Sequence, residues 1–74
     1  MKGKTGKTDI AELVKGVWAD SYRFYVKYHG RLTNPEAWQE AAKDFEEVME
    51  TYEGAPVCGR LMLAAFMQLE EEAR

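Results

Sequence analysis

The sequence predicts an all-α, single-domain three-helix bundle. Three observations predict it. Apolar residues recur every three or four positions through three separate stretches. Gly30 with Pro35, and Gly54 with Pro56, punctuate the chain between those stretches. No stretch alternates apolar and polar residues, and no Asn-Gly or Asp-Gly pair suggests a hairpin. A chain of 74 residues has room for one small core that buries about 60% of the unfolded surface. Its composition, 46% hydrophobic and 31% charged, belongs to globular rather than disordered chains.

Residues 1–7 hold three lysines and two glycines and no side chain able to reach a core. They read as a flexible basic tail, leaving 8–74 as the helical domain. Gly-Lys-Thr occurs twice in this region, at Gly3-Lys4-Thr5 and Gly6-Lys7-Thr8. A phosphate loop also needs a glycine five positions earlier and a strand leading in, and for Gly6 that earlier position is Met1. The repeat is therefore read as tail.

The first helix is expected near residues 9–29. Asp9 and Glu12 have the spacing of a capping box. Ile10, Leu13, Val14, Val17, Ser21, Phe24, Tyr25 and Tyr28 share one side, widened by Trp18 and Tyr22. Tyr22 and His29 stand at the edge of this arc and are the expected exposed members. Gly30 supplies a left-handed stop.

The second helix, near 35–53, opens on Asn34-Pro35. The proline pushes Asn34 out of the α region, which suits it as the cap, and Leu32 and Trp38 can close over the start. Trp38, Ala41, Ala42, Phe45, Val48, Met49 and Tyr52 form its apolar stripe, and Gly54 is the expected stop. The third helix, near 56–72, begins at Pro56 because proline suits a first turn. Cys58, Leu61, Met62, Ala65, Phe66 and Leu69 make one face, and Leu63 and Met67 a second stripe. Glu70, Glu71 and Glu72 oppose the macrodipole at its end, so its last turn is expected to fray.

Several functions are excluded or disfavoured by residue supply. The chain has one cysteine, Cys58, and one histidine, His29. That excludes an intrachain disulfide and a Cys- or His-pair metal site, and leaves no Ser-His-Asp type constellation. No pair of titratable groups stands out as acid and base, so no enzyme, cofactor or metal is expected. Cys58 lies on the apolar stripe and reads as a buried, inert thiol. The longest apolar run, 61–67, is far shorter than the roughly 20 residues of a membrane span. No apolar segment follows the first lysines as in a secretory signal, so a cytoplasmic location is expected.

The net charge of −3 conceals a polarity. Residues 1–31 carry seven Lys or Arg against three Asp or Glu, whereas 32–74 carry three against ten. Glu36, Glu40, Asp44, Glu47 and Glu50 make a candidate acidic docking face on the second helix. It is either a solvated surface or a contact for a basic partner. The aromatics from Trp18 to His29, interleaved with Lys15, Arg23 and Lys27, leave open a nucleic-acid contact through the first helix. The overall acidity weighs against one.

Gly59, Leu63 and Met67 make a candidate self-association face. Leu63 and Met67 point away from the main stripe of the third helix, and Gly59 lets a second backbone approach. A two-fold homodimer through this helix would add apolar burial that a short chain lacks. Burial of both stripes within one chain is the alternative.

The Lys-rich start, the run W-A-D-S-Y-R-F-Y-V-K-Y, the N-P-E-A-W helix start and the Leu/Met-rich last helix together resemble small helical accessory proteins of bacterial phages and integrative elements. The resemblance implies action by binding, including inhibition of nucleic-acid-cutting systems, and transfers no functional residue. The resulting expectation is a non-enzymatic protein-interaction module. An acidic, nucleic-acid-mimicking inhibitor is the first alternative and a basic-aromatic nucleic-acid binder the second.

Overall fold

The computed structural model describes the backbone of residues 6–74 and the side chains from Ile10 onward. Helix α1 spans Gly6–Tyr28, α2 spans Pro35–Thr51 and α3 spans Pro56–Glu72. There is no strand among the described residues. Residues 1–5 of the expected tail lie outside them. The rest of that tail, Gly6 and Lys7, is helical backbone, so α1 starts ahead of Asp9 and Asp9 is not its cap. A helix once nucleated extends at little cost, and no proline interrupts 6–9.

The helices run up, down and up, so α1 and α3 are parallel and α2 is antiparallel to both. Cross-links fix this order: Tyr28 reaches Asp44 while Tyr52 reaches Asp20, and Tyr25 reaches Glu72. The core is Val17, Phe24 and Tyr28 of α1, Leu32 of the first loop, Ala41 of α2, and Cys58, Met62 and Leu69 of α3. Phe24, Phe45 and Phe66, one from each helix, meet at its centre.

The helix ends follow local chemistry. Asn34 is extended at φ −153° and its side-chain carbonyl accepts from the Ala37 N–H at 2.8 Å, with Pro35 in the first turn. Gly30 has φ +73° after the end of α1. The second helix ends two residues short of the expected 53. Gly54 N–H donates to the Met49 carbonyl and Glu53 N–H to that of Glu50, each at 3.0 Å. This pair of reversed bonds closes the helix with Glu53 itself left-handed at φ +55°. The last turn of α3 stays helical to Glu72 rather than fraying, because Glu72 accepts from Tyr25, His29 and Gln68.

The apolar side of α1 is not buried along its whole length. Ile10, Leu13 and Trp18 are exposed although the periodicity places them on or beside the core face. Length explains Ile10 and Leu13, whereas Trp18, at the widened edge of the arc, turns away from the other helices. Twenty-three helical residues span about 34 Å, while the 17 of α2 and of α3 span about 25 Å each. Tyr52, which caps α2, lies level with Gly16 and Asp20, so the turns of α1 before about Val14 project beyond the other helices.

Gly16 marks the closest approach of that junction. A Cβ there would stand 2.7 Å from the Tyr52 hydroxyl oxygen and 3.4 Å from the ring. Gly16→Ala gains about 1 kcal/mol of helix propensity. It also displaces the hydroxyl from Asp20, a charge-assisted bond worth about 1.5–3 kcal/mol. A net loss of about 1 kcal/mol is expected. In a Tyr52→Phe background the hydroxyl is gone and the same substitution should stabilise. Urea unfolding of the four chains tests this reversal of sign, and an unchanged sign would contradict it.

Candidate interaction surfaces

Three tyrosines tie the helices together in the same way. Each donates its hydroxyl at 2.5 Å to a carboxylate of another helix: Tyr52 to Asp20, Tyr28 to Asp44 and Tyr25 to Glu72. Each carboxylate also holds a nitrogen from α1 or from the residue that follows it. Arg23 pairs with Asp20, Lys27 Nζ lies 2.6 Å from Asp44, and His29 Nδ1 lies 2.8 Å from Glu72. The basic side chains of α1 are thus spent partly within the chain. Asp44, counted in the acidic docking face, is half-buried and turned toward α1.

These contacts shift acidities in both directions. The Tyr52 hydroxyl, with help from Arg23, holds the Asp20 carboxyl below its ordinary range despite partial burial. Lys27 and then Tyr28 do the same for Asp44. The Tyr25 hydroxyl, followed by Gln68 and His29, holds Glu72 down at about 2. Burial, then the bond to Asp44, pushes Tyr28 up to about 12. Where a carboxyl pKa is depressed by folding, the stability it contributes is present above about pH 4 and is lost as pH falls through the folded value. Where a tyrosine pKa is raised, the contribution is present below about pH 10 and is lost as pH climbs through the folded value. Thermal melts should therefore show a plateau between these limits, a fall from about pH 4 toward 2, and a second fall from about pH 10 toward 12. A flat acid limb would contradict the clasps.

The remaining members of the acidic face, Glu36, Glu40, Glu47 and Glu50, are exposed on one stripe of α2, with Lys43 between them. None forms an ion pair among the described residues. Leu63 and Met67 are 53% and 57% exposed, so the second stripe of α3 is not absorbed into the core of its own chain. Gly59 is half-buried, and a Cβ there would meet the Met49 terminal methyl at 3.6 Å. It faces α2 rather than the outer stripe. A groove of about 360 Å³ runs beside Leu63, with Ala42, Phe45 and Phe66 on its walls.

A third surface belongs to α1. Trp18, Tyr22 and Val26, at four-residue spacing, are 60%, 68% and 50% exposed, and Ile10 and Leu13 extend the apolar surface over the projecting turns. Tyr22 and His29 are exposed as expected, Trp18 against expectation. The periodicity located Ile10 and Leu13 correctly on a helix face. The expected ranges 9–29, 35–53 and 56–72 gave little sign that no helix covers them, because α1 starts earlier and α2 ends sooner than the sequence indicates.

Cys58 is fully buried, its thiol directed at the Val48 carbonyl 3.8 Å away, and burial pushes its pKa up. It is not an activated nucleophile. No helix among the described residues is long and apolar enough to cross a membrane. Comparison of the chain with protein-family models, curated proteins and solved structures finds no match.

Proposed function

We propose that this chain is a small non-enzymatic binding module that works through protein–protein contact in the cytoplasm, as an accessory protein of a phage or integrative element would. The projecting end of α1 carries this reading. Its core face continues through Ile10 and Leu13 past the last residue of the bundle able to cover it, and Trp18 and Tyr22 adjoin it. An amphipathic helix end with its own bundle behind it can lie in an apolar groove of a partner, and exposed Trp and Tyr are the side chains that most often dominate such contacts. The test replaces Ile10 and Leu13 by Glu. Both are already exposed, so the melting temperature should move little. Capture of a partner from cells of the source, followed by mass spectrometry, should be lost. Retained capture would move the contact elsewhere.

A second reading is favoured by the four unpaired glutamates of α2. An acidic inhibitor would set this stripe against the basic groove of a nucleic-acid-processing enzyme. Binding that falls steeply with added salt and that survives Ile10→Glu/Leu13→Glu would favour it.

A further inference from the structure

We propose that two copies of this chain pair through α3 in an antiparallel, two-fold arrangement whose register is set by Arg60 and Glu70. The proposal uses none of the α1 residues on which the binding role rests.

The outer face of α3 presents Arg60, Leu63, Met67 and Glu70. Their spacing of three, four and three is that of a helix–helix seam. All four are exposed. Neither Arg60 nor Glu70 makes an ion pair or side-chain hydrogen bond among the described residues. The seam is therefore a free stripe with two apolar residues at its centre and opposite charges at its ends.

That order of charges selects the occupant. In a two-fold antiparallel pair centred level with Ala65, Leu63 meets Met67 of the partner subunit, and Arg60 meets Glu70 of the partner subunit. Symmetry repeats both contacts, so all four layers are complementary. In a parallel pair each residue would meet its own copy, and two layers would hold like charges. A second copy of the chain is thus the complement of its own α3 face, in one orientation only.

Two further features fit this occupant. The groove beside Leu63, walled by Ala42, Phe45 and Phe66 with Glu46 also lining it, offers a largely apolar seat for Met67 of the partner subunit, whose unbranched side chain adapts to irregular space. Glu70 opposes the dipole of its own helix, and antiparallel pairing brings it toward the start of the partner's α3 and its arginine, while Glu72 stays bound to Tyr25 and His29 of its own chain.

A seam of four residues makes a small interface, below about 1,200 Å² and in the range of concentration-dependent complexes. Sedimentation equilibrium from about 10 µM to about 1 mM should show the mass rising from that of one 8.5 kDa chain toward two. Arg60→Glu and Glu70→Arg, each alone, turn attraction into repulsion in two layers and should weaken dimerisation about tenfold or more. The charge-swapped double variant R60E/E70R should regain the wild-type behaviour. An equimolar mixture of the two single variants should form heterodimers, because their layers are complementary only across the mixed pair. Circular dichroism melts of each variant confirm that these exposed substitutions leave the bundle folded. A wild-type chain that is monomeric at about 1 mM would overturn the proposal. So would a dimer that R60E leaves intact, or a double variant that stays as weak as the single ones.

Discussion

Phe24→Ala should lower the unfolding free energy by about 3–5 kcal/mol, the largest effect of any single truncation in this core. Phe24 is 4% exposed and its ring touches all three helices. The centroids of Tyr28, Phe45 and Phe66 lie 5.4, 6.3 and 6.3 Å away. Phe45 meets it edge-on and Phe66 nearly face-parallel, arrangements that add about 0.5–1.5 kcal/mol per pair beyond area burial. The cavity left by alanine cannot close without moving one helix against another. At roughly 0.05–0.15 kcal/mol per residue, a chain of 74 residues has a total of about 4–11 kcal/mol. The variant should therefore melt near or below room temperature, or lose its cooperative transition. A loss below about 1 kcal/mol in chemical denaturation would show that the aromatic cluster is not the centre of the fold.

Asp44→Ala should cost about 1–3 kcal/mol, which separates Asp44 from the exposed glutamates of the same helix. The cost arises from what is left behind. Tyr28 is 3% exposed, and its hydroxyl donates to Asp44. Removing the carboxylate leaves that hydroxyl largely desolvated and without its acceptor, and frees Lys27 from its ion pair. Tyr28→Phe should cost less, since Asp44 retains Lys27. The double variant should cost less than the two single losses combined, because the orphaned hydroxyl is absent from it. Glu36→Ala and Glu47→Ala, by contrast, should stay within about 0.5 kcal/mol. Additivity in the Tyr28–Asp44 cycle would contradict the clasp.

The contrast between Asp44 and its neighbours shows why charge patterning alone was an incomplete guide. Along α2 the sequence presents Asp44 as one more acid in a row. Its angular position lies toward α1, and only the placement of Lys27 and Tyr28 reveals that it is occupied. Arg23, Lys27 and His29 likewise read in the sequence as a basic, aromatic surface open to nucleic acid. In the folded chain each is held by a carboxylate, two of them on other helices, which weakens that reading.

The local features of the fold were decided over short spans of chain. The Asn34 cap, Pro35 and Pro56 in first turns, the left-handed Gly30 and the 3.6-residue period of each apolar stripe depend on φ preferences and on neighbours within one turn. The sequence by itself therefore determined three helices, their order, the starts of the second and third, and the side each turns inward, but not where α1 begins or where α2 ends. It could not determine how far each helix is covered. Ile10 and Leu13 have the same periodicity as Val17 and Phe24 but lie beyond the ends of α2 and α3. Leu63 and Met67 are as apolar as Met62 and Leu69 but face outward. Nor could it show that three tyrosines, 16 to 47 residues from their acceptors, would clasp three carboxylates. Burial and cross-chain hydrogen bonds depend on which helix stands opposite at what height, and only the tertiary structure decided that.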